Sequence, residues 1–388
     1  MKIVMLTRES LPFHSYGGMQ RYVWCLARYL AREDIEIEFV LPPSYHNEKT
    51  EIIDNVKFTF IGPTVRKPFF WTRYLLFSLR ASRYLSKQEF DILHGFEICP
   101  FFYLLKKKRK PVVVQSFGNE PLKTIGIKRT FHRLRWVPFF KSVVRNSDFV
   151  GSIGKKQTEE LQQLYGISKQ KIFLLPDGVE LEKISQLQGR STKARHDIGF
   201  KNGDPVLICV SRFAPNKGIQ YLIQAMRILV SRSENMRLIL IGSGTEEKYI
   251  DKLVKRSSLT SNIRHFKNLS DEELFQYYRL SDIFVLPTLY EGLPLVLLEA
   301  EACSLPVVTT NITDNAQVVK DWINGFLVPP KNPQAMAEAV RRIYDNRLLT
   351  KMGKASREIA ENYDWARVAD AALSKYNEIL STNRSEVK

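Results

Sequence analysis

The sequence predicts an α/β protein made of two doubly wound, Rossmann-like domains facing one another across a cleft. Three observations carry this prediction. Short apolar runs alternate with segments of helical period along nearly all of the 388 residues. The runs are almost continuously apolar, as expected for parallel strands covered on both faces by crossover helices. They also fall into two series, separated by a polar stretch over residues 176–204 that holds no strand-like run.

The first series opens with "KIVMLT" and continues through "IEIEFVLP", "VKFTFIG", "FDILHGF", "PVVVQSFG", "DFVGSI" and "KIFLLP". Amphipathic segments such as "MQRYVWCLARYLARE" and "TEELQQLYG" supply the crossovers. The second series reads "PVLICVSR", "MRLILIG", "IRHFKN", "DIFVLPT", "PVVTT" and "GFLVPP". After residue 333 the pattern is helical to the end, closing with "WARVADAALSKYNEIL" and a polar tail. The expected division is a first domain over 1–176 and a second over 177–365, with a terminal helix over 366–388.

Composition narrows the class. A chain with 44% hydrophobic and 26% charged residues is globular rather than disordered. No window approaches the ~18 uninterrupted apolar residues of a membrane span. The start "MKIVMLTRES" reads as a first strand, not a signal peptide, so a cytoplasmic protein is expected. Cys25, Cys99, Cys209 and Cys303 are scattered without metal-ligand spacing, which suits buried thiols in a reducing compartment.

The net charge of +17 is unevenly spread. Residues 66–145 hold 18 Lys and Arg against 4 Asp and Glu, interleaved with Trp71, Phe101, Phe102, Tyr103, Trp136 and Phe139. Such a stretch suits nucleic acid, or an anionic membrane surface where aromatic rings sit at headgroup depth; the second would make the protein peripheral on the inner face of the cell membrane. For any single residue the plainer reading is a solvated basic face above core aromatics.

In open parallel sheets, ligands bind at the carboxyl ends of the strands, so candidate chemistry is sought there. After the first strand, Gly17 and Gly18 open a helix whose free N–H groups favour a phosphate; a plain tight turn fits them equally. After "VLICV", Arg212 and Lys217 stand beside a helix start and suit a diphosphate, or are two surface cations. "IGSG" repeats the strand-then-glycine arrangement with Gly242. In "YEGLPLVLLEAEA", Glu291 lies in a loop and a helix begins near Pro294, so Leu295 and Val296 present helix-start N–H groups to an anion. Glu299 and Glu301 lie roughly 200° apart on that helix, so one of the two, Glu299 being the better placed, is expected to point inward. Glu291 reads equally as an exposed loop residue.

Together these segments resemble glycosyltransferase family 4 over almost the full length. "GGMQRYVWCLARYL" resembles its N-terminal glycine loop and helix. "LLPDGVE" is similar to its hinge strand, with Asp177 where Asn is usual. "VSRFAPNKGIQYLIQAM" resembles its Arg-x4-Lys-Gly element, and "YEGLPLVLLEAEACSLPVV" carries its Glu-x7-Glu element. The resemblance implies a GT-B architecture: an acceptor-binding first domain, completed by the C-terminal helix, and a donor-binding second. It implies a retaining, nucleotide-sugar-dependent enzyme. Arg212 and Lys217 would neutralise the diphosphate with help from Leu295, Val296, Gly242, Gly17 and Gly18. Glu299 would hold the ribose hydroxyls, Glu291 the transferred sugar, and segment 263–269 the base.

Departures fall in the first domain. "HGFE" places His94 at a position where the family often presents a histidine, but Phe96 stands at a second such position. "SFGNE" has Phe117 where histidine is common. His94 is either a sugar-contacting, catalytic group or a satisfied structural one. Glu97 and Glu120 occupy the same loops and are candidate acceptor-side substitutes. Asn311–Asn315 replaces a usual glycine-rich turn.

The expected activity is transfer of a hexose from a UDP- or GDP-sugar to a glycan or lipid-linked acceptor at the cytoplasmic membrane face. The nucleotide-sugar is then a substrate; no cofactor is expected. The chain contains no Asp-x-Asp, so a metal-independent reaction is expected. An anionic membrane surface is the expected partner and nucleic acid is not, since no nucleic-acid module is recognisable. The alternatives are a soluble transferase making a free disaccharide or glucan, a sugar-nucleotide epimerase, and a basic nucleic-acid-binding protein.

Overall fold

The computed structural model describes residues 1–14, 18–43, 50–62, 70–117, 128–189, 194–232, 235–290, 294–312 and 315–386. These form two compact units, Met1–Asp177 with Trp365–Lys388, and Gly178–Asp364. Among the described residues no helix is long and apolar enough to cross a membrane.

The first unit is built on β1 (Lys2–Leu6), β2 (Glu36–Leu41), β3 (Thr50–Ile53), β4 (Val56–Phe60), β5 (Ile92–Phe96), β6 (Val112–Gln115), β7 (Phe149–Ser152) and β8 (Ile172–Leu174). Their order in the sheet is β3-β4-β2-β1-β5-β6-β7-β8. The pairs are parallel except β3 with β4. Alternation of side chains along β1 feeds two cores. Ile3 and Met5 pack on one face with Tyr22, Leu26, Trp365, Ala372 and Tyr376. Val4 and Leu6 pack on the other with Tyr74, Phe77, Phe140 and Val143. The helix Gly18–Ala31 therefore lies beside the final helix Trp365–Glu386, and Tyr22 meets Trp365 edge to face at 5.3 Å.

The second unit carries β9 (Val206–Val210), β10 (Arg237–Ile241), β11 (Ile263–Phe266), β12 (Ile283–Leu286), β13 (Val307–Thr310) and β14 (Gly325–Val328), in the order β11-β10-β9-β12-β13-β14 and all parallel. Leu207, Cys209, Leu238 and Leu240 face helices Ile219–Arg232 and Pro333–Asp345. Ile208, Ile239 and Phe284 face Phe275, Tyr278, Leu297 and Leu298 on the opposite side. The strands are short and apolar on both faces because both faces are covered.

Each run read as a strand in the sequence is a strand here, and the fold is the doubly wound α/β architecture. The one strand not anticipated is β3, "TEII", an antiparallel edge strand with every second residue exposed. Its single partner and half-polar composition leave little period-2 signal to read.

Candidate active site

A doubly wound sheet has a switch point, where successive strands begin to be laid down in the opposite direction, and loops on either side of it splay apart to leave room for a ligand. In the second unit that point lies between β9 and β12. The loop after β9 bears Arg212 and Lys217. The loop after β12 leads through Glu291 to the helix Leu295–Ala302.

Two hydrogen bonds and one glycine hold these loops together. The Leu289 amide donates to the Asn216 carbonyl at 2.7 Å, and the Thr288 hydroxyl donates to the same oxygen at 3.2 Å. Gly218 has φ +65°, and a Cβ there would stand 2.2 Å from the Pro287 carbonyl oxygen. Glycine is thus required for the β9 loop to lie against the end of β12. The loop after β10 closes in the same way. Gly242 has φ +141°, and its Cβ would lie 1.9 Å from the Ser211 oxygen. The Phe213 amide donates to the Ser243 carbonyl at 2.8 Å, and the Gly242 amide to Phe266 at 2.9 Å.

Arg212 is exposed, and Lys217 is half-buried at the end of the short turn Pro215–Lys217. Pro294 is extended and immediately precedes the helix, so Leu295 and Val296, both half-buried, are its first residues. Glu299 is 4% exposed, and its Oε2 accepts from the Tyr278 hydroxyl at 3.2 Å. Arg212, Lys217, Gly242, Leu295 and Val296 thus all stand on loops or helix starts at the carboxyl ends of this sheet, with Glu299 one turn further along. Glu291 lies outside the described residues.

One expectation for the helix needs correcting. Glu301 is buried as completely as Glu299, because the helix is enclosed all round from Leu297 to Ala302 and packs on helix Leu349–Ala360. Glu301 Oε1 accepts from Asn324 Nδ2 at 3.1 Å, and burial holds its carboxyl well above the usual range, so it is a neutral core group.

In the first unit the switch point lies between β1 and β5. Gly18 is exposed at the start of the helix after β1, while Gly17 lies outside the described residues. At the end of β5, Glu97 adopts φ +55° and accepts from the Phe117 amide at 3.0 Å, so it ties two strand-end loops together. Phe96 is buried, stacked between His94 at 4.6 Å and Phe117 at 5.9 Å. Phe117 is half-buried and also meets Tyr22 edge to face at 4.9 Å. Glu120 lies outside the described residues.

His94 belongs to this packing. Its ring has no exposed surface, its Nδ1 lies 2.7 Å from the Tyr376 hydroxyl on the terminal helix, and burial lowers its pKa to about 3. The ring is enclosed, yet its Nε2 is buried without a hydrogen-bond partner among the described residues, so this packing satisfies only one of its two nitrogens. Phe96 covers one face of the His94 ring, and Phe117 stacks on Phe96 in turn.

Two participants escaped the sequence reading. Tyr278 lies 21 residues from Glu299, and nothing in the chain pairs them before the helices pack. Asp177, 8% exposed with its carboxyl raised by burial to about 8 against the pull of Arg21, was noted only as an Asn replacement.

The fold, two doubly wound α/β units, is that of the GT-B class. Residues 16–183 match the family model Glycosyltransferase Family 4, and residues 190–361 match Glycosyl transferases group 1. The chain belongs to the glycosyltransferases, with a family 4 domain followed by a group 1 domain. It is 29% identical to D-inositol 3-phosphate glycosyltransferase 2 of Catenulispora acidiphila over 99% of this chain and 96% of that protein. It is 23% identical to the UDP-Gal:alpha-D-GlcNAc-diphosphoundecaprenol alpha-1,3-galactosyltransferase of Escherichia coli, over 98% of each. Among solved structures, sucrose-phosphate synthase of Thermosynechococcus elongatus superposes with a TM-score of 0.83 at 20% identity, covering 98% of this chain and 99% of that one.

Proposed function

We propose that the enzyme transfers a hexose, with retention of anomeric configuration, from a UDP- or GDP-sugar to a glycan or lipid-linked acceptor at an anionic membrane surface. The observation that carries this is the grouping of cations, close-approach glycines and a helix start at the switch point of the second unit. Loss of a nucleoside diphosphate leaves charge on the β-phosphate. Arg212, Lys217 and the N–H groups of Leu295 and Val296 are fixed donors that stabilise it. Glu299, an anchored carboxylate, accepts from the ribose hydroxyls, and Glu291 contacts the transferred sugar. Attack from the face the phosphate leaves lets that phosphate take the acceptor's proton, so neither His94 nor another base is needed, and no metal or cofactor is called for. In the first unit Glu97 borders the acceptor's place.

The E. coli relative, whose name gives a UDP-sugar donor and an acceptor on diphosphoundecaprenol, supports this class of substrate. The surface of the first unit supports the membrane. Leu76 and Leu105 are 40% and 57% exposed, beside exposed Arg80, Arg83, Lys107, Lys108 and Lys110. Lys106 binds the Ser82 carbonyl at 3.3 Å, which holds the lysine loop against the helix Phe70–Leu85. A screen of UDP-, GDP- and ADP-sugars for donor hydrolysis, repeated on Glu291→Ala, tests the reading. Hydrolysis of one donor, reduced in the variant, is expected; no turnover of any donor sinks it.

A further inference from the structure

The helix Glu247–Arg256 and the edge strand β11 bring together three ligand-type side chains, Glu247, Asp251 and His265. Glu247 and Asp251 are four residues apart and share a helix face. His265 projects beside them, and one ligand atom from each of the three lies within 4.8 Å of the others. The ring of His265 is held from behind. Its Nε2 lies 2.7 Å from the Gly242 carbonyl oxygen. A carbonyl only accepts, so Nε2 carries a proton, which leaves Nδ1, on the carboxylate side, as the ring atom that can ligate an ion. The ring is also stacked on Phe213, with centroids 4.9 Å apart.

Nδ1 stands 3.7 Å from Asp251 Oδ1. That is too long for a hydrogen bond. It is close to the separation of about 3.4 Å between two ligands on one tetrahedral ion with bonds near 2.1 Å. A backbone carbonyl gripping the far ring nitrogen is also how metal-binding imidazoles are commonly oriented. We propose that Glu247, Asp251 and His265 Nδ1 form a site for one divalent transition cation, Zn²⁺ or Mn²⁺. One neutral imidazole and two carboxylates suit such an ion, with water completing its shell.

The ion links helix Glu247–Arg256 to β11, and through the Gly242 carbonyl it stiffens the loop after β10. Lys267 is the built-in competitor: its Nζ lies 2.7 Å from Glu247 Oε1, and it is exposed enough to swing aside. His265 and Lys267 lie in the segment that the transferase reading gives to the base, so the test reads metal binding alone, with no donor present.

Calorimetric titration of ZnCl₂ and of MnCl₂ into the untagged, chelator-treated chain tests it. The expected result is one equivalent bound, weakened at least tenfold in Asp251→Asn and in Glu247→Gln. Lys267→Ala should tighten it several-fold. These positions are at the surface, and far-UV circular dichroism checks that the variants fold. His265→Ala is avoided because the ring packs on Phe213. No binding of either ion at millimolar concentration, or equal binding by the wild type and both carboxylate variants, overturns the site.

Discussion

The Tyr278 hydroxyl reaches Glu299 Oε2 at 3.2 Å inside the second unit, on a carboxylate that is only 4% exposed. A carboxylate has about four lone-pair sites, so one that accepts from a phenol is also the type of group that a pair of ribose hydroxyls can donate to. Glu299→Gln should therefore lose charge-assisted bonds of about 1.5–3 kcal/mol, raising donor KM roughly 10- to 100-fold. Tyr278→Phe, which loosens the carboxylate without removing it, should raise KM only several-fold. Steady-state kinetics on both variants checks the order; equal effects would contradict it.

Gly242 has no room for a side chain, because its Cβ would meet the Ser211 backbone oxygen at 1.9 Å. Both partners are main chain and neither yields by rotating. Gly242→Ala should cost about 1–3 kcal/mol of stability and displace the strand-end loop, so donor affinity falls with it. Urea unfolding together with donor KM measures both. A variant within about 0.5 kcal/mol of the wild type, the scatter of ordinary surface changes, would refute the steric account.

Asp177 gives the chain a pH dependence. Burial raises its carboxyl from 3.8 to about 8. An acid whose folded pKa is raised contributes stability that is fully present below its unfolded pKa and lost as pH rises through the folded value. The window is thus pH 4 to 8. Asp177→Asn removes the titration, so the difference in stability between pH 5 and pH 8 should shrink by about 1–4 kcal/mol relative to the wild type. Chemical unfolding at the two pH values decides it; parallel slopes in the two proteins would rule the assignment out.

The lysine loop after Leu105 predicts electrostatic attraction to anionic lipid, worth about 1 kcal/mol for each cation near the surface. Replacing Lys107, Lys108 and Lys110 together by Ser should weaken binding to anionic vesicles by roughly 10- to 100-fold, with little effect on neutral ones. Sedimentation with vesicles in physiological salt reads this out. Equal binding to neutral vesicles would remove the membrane from the account.

The fold was legible because both faces of each sheet are covered. Runs such as "VLICV" and "IFVLP" are apolar at every position, and such runs stand out from helical period without any knowledge of partners. β3 was not legible, since an edge strand keeps one side in water. The strand-end loops could be read from glycines and cations at fixed spacing. The pairing of Tyr278 with Glu299, and of His94 with Tyr376, could not, because 21 and 282 residues separate the partners and only packing unites them. Glu301 shows a further limit. Angular spacing says where a carboxylate points on a helix, but not that helix Leu349–Ala360 and Asn324 close over that side as well.

The central claim is that the second unit binds a nucleoside diphosphate through Arg212 and Lys217. Calorimetric titration of UDP and of GDP into the wild type, Arg212→Ala and Lys217→Ala tests it directly. One of the two nucleotides should bind the wild type, and each substitution should weaken it by at least about tenfold, the equivalent of 1.4 kcal/mol. Binding of neither nucleotide, or binding that both variants leave unchanged, would contradict the account.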